Sequence, residues 1–215
     1  MRRLLVAASL VLAACDKTDN PAGAGGGKLV AVPLPYFASY ETWCAHLGNG
    51  VCKGDWDGHE PGTSALGAYR FVLVEYAELR DGQGPARDVF LELVNPKGNV
   101  YFGLGRTRKG QVTTSVMVHE VVDHPGALEL RTVFRTSPRF TQSDYHNAIF
   151  LLEGPRGLGA VEVPLGKIVG DDTGKTSGAI GTAQWQNGKL SLKGAAIADG
   201  MWTMTPPELP QPRGN

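Results

Sequence analysis

Cysteine is scarce in this chain: three in 215 residues, at positions 15, 44 and 52. None forms a C-x-x-C pair, and C-x₇-C is neither a redox motif nor usual zinc spacing. Net charge is also absent, with 21 basic residues against 21 acidic ones. That balance excludes the basic excess expected of a nucleic-acid partner. The small and apolar run from Leu4 to Ala14 is about half the roughly 20 residues that a membrane-spanning helix requires. No internal repeat is visible.

What is present begins with MRRLLVAASLVLAAC. Two arginines followed by a short apolar run read as a cleaved secretion signal, residues 1–14. Leu12-Ala13-Ala14-Cys15 resembles the lipobox of bacterial lipoproteins. That resemblance implies that Cys15 is lipidated with thioether-linked and amide-linked acyl chains (palmitate among them), which tie the protein to a membrane without spanning it. More than one chain is what stable anchoring requires, at ~0.8 kcal/mol per buried CH₂. In Gram-negative lineages Asp16 in the next position can hold such a protein at the inner membrane. Residues 15–27 carry no large apolar side chain and end in glycines, so they read as a flexible tether. The expected address is the cell envelope, facing the periplasm or the exterior.

Taking Arg2 and Arg3 from the 21 basic residues leaves 19 against 21 acidic ones, a formal charge of −2. Residues 28–205 suit one domain with a real core. The Pro-rich end, 206–215, reads as a frayed tail. With Cys15 taken by lipid, Cys44 and Cys52 form an even pair in an oxidising compartment, and a disulfide is expected.

Ser39 can cap a short helix whose apolar side is Tyr40, Trp43, Cys44 and Leu47, with Gly48 closing it. After residue 66 the pattern turns to strands. Val89, Leu91 and Leu93 point one way with Glu92 opposed, and Leu128, Leu130 and Phe134 alternate with Glu129, Arg131 and Arg135. Such alternation predicts sheets with a wet face. Asn95-Pro96-Lys97-Gly98-Asn99 and Asn187-Gly188 are turn signals that imply hairpins. The expectation is an all-β fold, an antiparallel β-sandwich with one short N-terminal helix.

Two stretches imitate catalytic motifs. In VHEVVDH, residues 118–124, His119 and Glu120 open like a zinc hydrolase signature, but His124 falls at i+5 instead of i+4. On a helix the two histidines would diverge by roughly 140°, and on the strand that five valines between 112 and 122 suggest they face opposite ways. A zinc site would then need ligands such as His146, His46 or His59. GDDTGKT, residues 170–176, is one residue short of a phosphate loop and carries Asp171 and Asp172 where phosphate would sit.

Binding candidates remain. Asp55, Asp57 and Glu60 surround Gly58 in GDWDGHE, a carboxylate spacing that suits a hard cation such as Ca²⁺. Arg131, Arg135 and Arg139 share strand parity, and Arg106, Arg108 and Lys109 form a second basic cluster. Together they would face an anionic partner such as lipid headgroups or a cell-wall polymer. Trp56, Trp185 and Trp202 would stack on sugars if exposed.

From about 68 to 168, the order of features in ELRDGQGPARDVFLELV, LELRTVFRTSPRFTQSD and GAVEVPLGKI resembles a C2 domain, a β-sandwich used at membrane surfaces. The resemblance implies calcium held by aspartates of two loops. Asp81, Asp88 and Asp144 match those positions, while Thr136 and Pro138 stand where carboxylates are needed. The reading is a membrane-anchored lipoprotein that binds or scaffolds in the envelope without catalysis and without a resident cofactor, calcium aside. Its alternatives are a calcium-dependent C2-like or carbohydrate-binding module and a zinc hydrolase.

Overall fold

Ala148, Ile149, Phe150, Leu151 and Leu152 are consecutive and all buried. In a strand, successive side chains point to opposite faces, so a continuous buried run means that both faces of the sheet are covered. That requirement organises the fold. The structure, a computed structural model, describes residues 25–47, 50–76, 86–103, 111–121, 124, 126–136 and 141–208.

Three mostly antiparallel sheets stack on one another. Sheet I has the order β3 (Tyr36–Phe37), β8 (Val100–Gly103), β7 (Ala86–Val94), β6 (Gly67–Tyr76), β4 (Gly50–Asp55), with β5 (Gly62–Ser64) also on β6. Sheet II runs β13 (Thr176–Ile180), β12 (Gly157–Asp171), β11 (Thr141–Gly154), β10 (Ala127–Thr136), β9 (Gln111–Glu120), with β2 (Val32–Pro33) on β12. Sheet III is β1 (Gly25–Val30), β16 (Gly200–Thr205), β15 (Lys189–Lys193), β14 (Thr182–Gln186). The expected sandwich is present, and it is three sheets deep.

Sheet II is the middle layer. Its Leu128, Leu130, Ile149 and Leu151 pack with Phe71, Leu91 and Leu93 of sheet I. Its Ala148, Phe150, Leu152, Val161 and Val163 pack with Leu190, Leu192 and Met204 of sheet III. Full burial of each large apolar side chain stabilises by about 1.5–3 kcal/mol, so both interfaces contribute.

A short helix, α1 (Tyr40–His46), covers the outer face of sheet I, where Trp43 joins Val72 and Val74. It starts as the sequence predicts: Ser39 Oγ accepts from the Thr42 N–H at 3.2 Å. Cys44 is bonded to Cys52 of β4. This covering corrects one expectation, because Glu92 is only 6% exposed. Its partner is the Arg70 guanidinium, which also reaches Asp55 at 2.9 Å and lies over the Tyr40 ring. The side of β7 opposite its leucines is lined with paired charge under a helix, not with water.

Asn187 and Gly188 both have positive φ, 51° and 73°, as a two-residue hairpin demands. At the other edge of sheet III, β1 pairs with β16 in parallel from Gly25↔Gly200 to Val30↔Thr205. A Cβ on Gly200 would meet the Gly25 carbonyl oxygen at 1.4 Å, so this parallel start needs glycine. Pairing thus takes in Gly25–Gly27, which the composition assigned to the tether. At the C-terminal end Pro207 is buried and Glu208 pairs with Lys28, so the described part of the Pro-rich end, Pro206–Glu208, packs on the domain. No helix among the described residues is long and apolar enough to cross a membrane.

Candidate binding cleft

The expected metal loops do not assemble. Among the described residues no three His, Cys, Asp or Glu side chains gather as a ligand set. Asp55, Asp57 and Glu60 stay apart; Asp55 is held by Arg70, and the Trp56 ring fills the space beside Gly58. Trp56 also meets Phe71 edge-on at 6.3 Å, so the loop is pinned by aromatic packing.

The C2-like aspartates fare no better. Asp88 is buried in β7 on the parity of Glu92, the α1 side of sheet I. Asp144 lies in β11 on the opposite side of the stack, paired with Arg135. The two point away from each other across the sandwich. Asp81 lies outside the described residues. The Arg135 Nε and Nη2 reach the two carboxylate oxygens of Asp144 at 2.7 and 3.0 Å, and this pairing holds the Asp144 carboxyl below the usual range. Bidentate pairing of this kind occupies both oxygens that a cation would need.

The arginines are corrected in the same way. Arg131 and Arg135 do share a face, but each has a carboxylate neighbour, Glu129 for Arg131 and Asp144 for Arg135. They offer no bare anion-binding row. Arg106, Arg108, Lys109 and Arg139 lie outside the described residues, as does Cys15.

The two motif imitations resolve locally. GDDTGKT is the hairpin turn between β12 and β13, where Asp171 Oδ1 accepts from the N–H groups of Thr173 and Lys175 at 2.9 and 3.0 Å. His119 stands on strand β9, not on a helix, so the helical zinc geometry is excluded. His124 follows in the connection to β10 and packs against Trp185, ring centroids 4.9 Å apart.

His124 and Trp185 meet at a place the sequence did not mark. Sheet III covers β11 and β12 of the middle sheet and ends at β14, while sheet II continues with β10 and β9. The register puts Glu129 opposite His119 and Arg131 opposite Met117, all on the face toward sheet III. A cleft follows, running along β14 above β10. Arg131 divides it and donates to the Ala183 carbonyl. On one side lies a space of about 340 Å³ bounded by Met117, Val133, Leu165 and Ile180. On the other, about 360 Å³ is bounded by Glu120, Glu129, Gln184, Trp185 and Gln186.

The cleft is polar in an unusual way. Six buried side-chain polar atoms lack a hydrogen-bond partner among the described residues, and each such atom costs about 1–3 kcal/mol. Two of the six, Trp185 Nε1 and His124 Nδ1, are at this cleft or packed against its wall, while a third, Glu129 Oε1, is answered by an ion pair. Arg131 Nε sits beside Glu129 Oε1 as an ion pair without hydrogen-bond geometry. Two of the expected sugar-stacking rings are otherwise engaged, since Trp202 Nε1 donates to Ala198 C=O at 3.1 Å and Trp56 packs over Gly58.

No family model, curated protein or solved structure matches this chain.

Proposed function

We propose that this protein is a lipid-anchored binding module of the bacterial cell envelope, acting without catalysis, and that the cleft beside β14 is its binding face. The observation that carries the reading is the cleft itself, with Trp185 Nε1 and His124 Nδ1 buried at its wall without a hydrogen-bond partner among the described residues. A folded chain normally satisfies such groups, and a bound partner would complete them. The lipobox at Leu12–Cys15 supports the address, with acyl chains on Cys15 holding the domain by a short tether on the periplasmic or exterior side of a membrane.

One experiment tests both halves. A photo-crosslinking amino acid replaces Gln184, an exposed side chain on the cleft wall, in cells that express the full chain. Illumination is expected to yield a covalent adduct, of whatever chemistry, absent when the same group replaces Val51 on the far sheet. Cys15→Ala is expected to move the protein from the membrane to the soluble fraction. No adduct at Gln184 would refute the binding face, and membrane retention of Cys15→Ala would refute the anchor.

A further inference from the structure

The two outer faces of the three-sheet stack differ. Sheet I is covered by α1 on its outer side and answers its cations with carboxylates, as Arg70 with Glu92. Sheet III carries charge of one sign: its four strands, β1, β14, β15 and β16, contain three lysines and neither aspartate nor glutamate. All three lysines point outward, because the adjoining Leu29, Leu190 and Leu192 are buried against sheet II. Lys28 is paired with Glu208. Among the described residues Lys189 and Lys193 have no ion-pair partner. Asp199, in the β15–β16 connection, accepts from the Gly194 N–H at 2.6 Å. Met201, 39% exposed, stands in the middle of this face, paired with Ser191 on one side and Gly26 on the other.

We infer that the outer face of sheet III docks on the anionic phospholipid surface of the membrane that holds the anchor. This deepens the anchor reading of Cys15 and rests on it. Residues 15–24 are the ten positions between the lipobox cysteine, counted with them, and the start of β1 at Gly25. Such a length spans at most about 33–36 Å when fully extended, and about 16–19 Å on average as a flexible chain. The anchor therefore enters the domain through sheet III, whereas sheet I lies roughly 20 Å beyond it, two sheet spacings away.

A tether of this length keeps the bilayer at high effective concentration, an advantage that an anionic polymer free of the membrane lacks. Each lysine near an anionic leaflet weights the docked orientation about fivefold, so Lys189 and Lys193 together weight it about thirtyfold. Lysine stems and the Met201 side chain supply apolar surface at the headgroup boundary, with the ammonium groups left among the phosphates.

The test uses the full chain with its acyl anchor, reconstituted into vesicles whose headgroups carry a collisional quencher. A fluorescent amino acid replaces Thr203, exposed and paired with Lys28 on the outer face, or Thr63, exposed on β5 of sheet I. In vesicles of equal parts phosphatidylcholine and phosphatidylglycerol, the Thr203 probe is expected to be quenched at least several-fold more than the Thr63 probe. The difference should vanish in pure phosphatidylcholine, in about 1 M salt, where the Debye length is about 3 Å, and on Lys189→Glu/Lys193→Glu. Equal quenching of the two probes, or quenching at Thr203 indifferent to lipid charge or to the double charge reversal, would overturn membrane docking and leave this face to a soluble partner. A chain that does not float with the vesicles at all would overturn the anchor reading, and this inference with it.

Discussion

Replacing Phe150 by alanine is expected to remove about 3–5 kcal/mol of stability, lowering the thermal midpoint by roughly 6–20 °C for a domain of this size. Phe150 is fully buried in the middle strand of the middle sheet, between Val161 and Val163 of its own sheet and the sheet III residues Leu190 and Leu192. The neighbours belong to two sheets that cannot close together without shifting a strand register, so the cavity would persist. Val51→Ala is the control, because Val51 is 52% exposed and such surface changes stay within about 0.5 kcal/mol. Thermal unfolding followed by circular dichroism checks both. A loss below about 1 kcal/mol for Phe150→Ala would mean that sheet III does not pack on sheet II as described.

Removing the Cys44–Cys52 bond is expected to cost about 2–3 kcal/mol, the loop-closure value for so short a ring, or roughly 4–12 °C in the midpoint. The bond spans eight positions in sequence and joins α1 to β4. Seven residues are too few for a helix to persist alone in water, so α1 depends on this staple and on Trp43, whose ring meets Phe90 edge-on at 5.0 Å. Losing the staple exposes Val72, Val74 and Phe90 on the outer face of sheet I. Denaturant unfolding of Cys44→Ser/Cys52→Ser, beside the parent in reductant, measures it. Equal midpoints with and without the bond would show that α1 is held by packing alone.

Local features of the fold were readable in the residues themselves. Ser39 at a helix start, the Asn187-Gly188 turn and the Cys44–Cys52 pair each depend on chemistry within a few positions, and each is found where the sequence predicts it. The third sheet was not readable in that way. Its far edge pairs Gly25 with Gly200, a contact across nearly the whole chain, and a glycine run reads by composition as a tether. The wet faces assigned to β7 and β10 misled for a related reason: alternating charge is the same pattern whether water or an ion pair answers it. Glu92 is answered by Arg70, and Arg131 by Glu129 and the Ala183 carbonyl. One available signal pointed the right way, since the unbroken apolar run Ala148–Leu152 fits only a strand covered on both faces.

The candidate site was legible in pieces. His124 and Trp185 each drew attention through their side-chain chemistry, but the reason they come together is strand order. β14 is a sheet edge above β10 and β9, and no spacing along the chain encodes which strand lies at an edge. Met117 and Arg131 lie on either side of the β9–β10 connection and are brought to one cleft only by the register of those strands.

The central claim is that the cleft beside β14 is a binding face of the folded chain. Photo-crosslinking in cells from Gln184, exposed on the cleft wall, tests it most directly. A covalent adduct at Gln184 that is absent when the same group replaces Val51 on the far sheet is the predicted result. No adduct at Gln184, or equal labelling at both positions, would contradict the account.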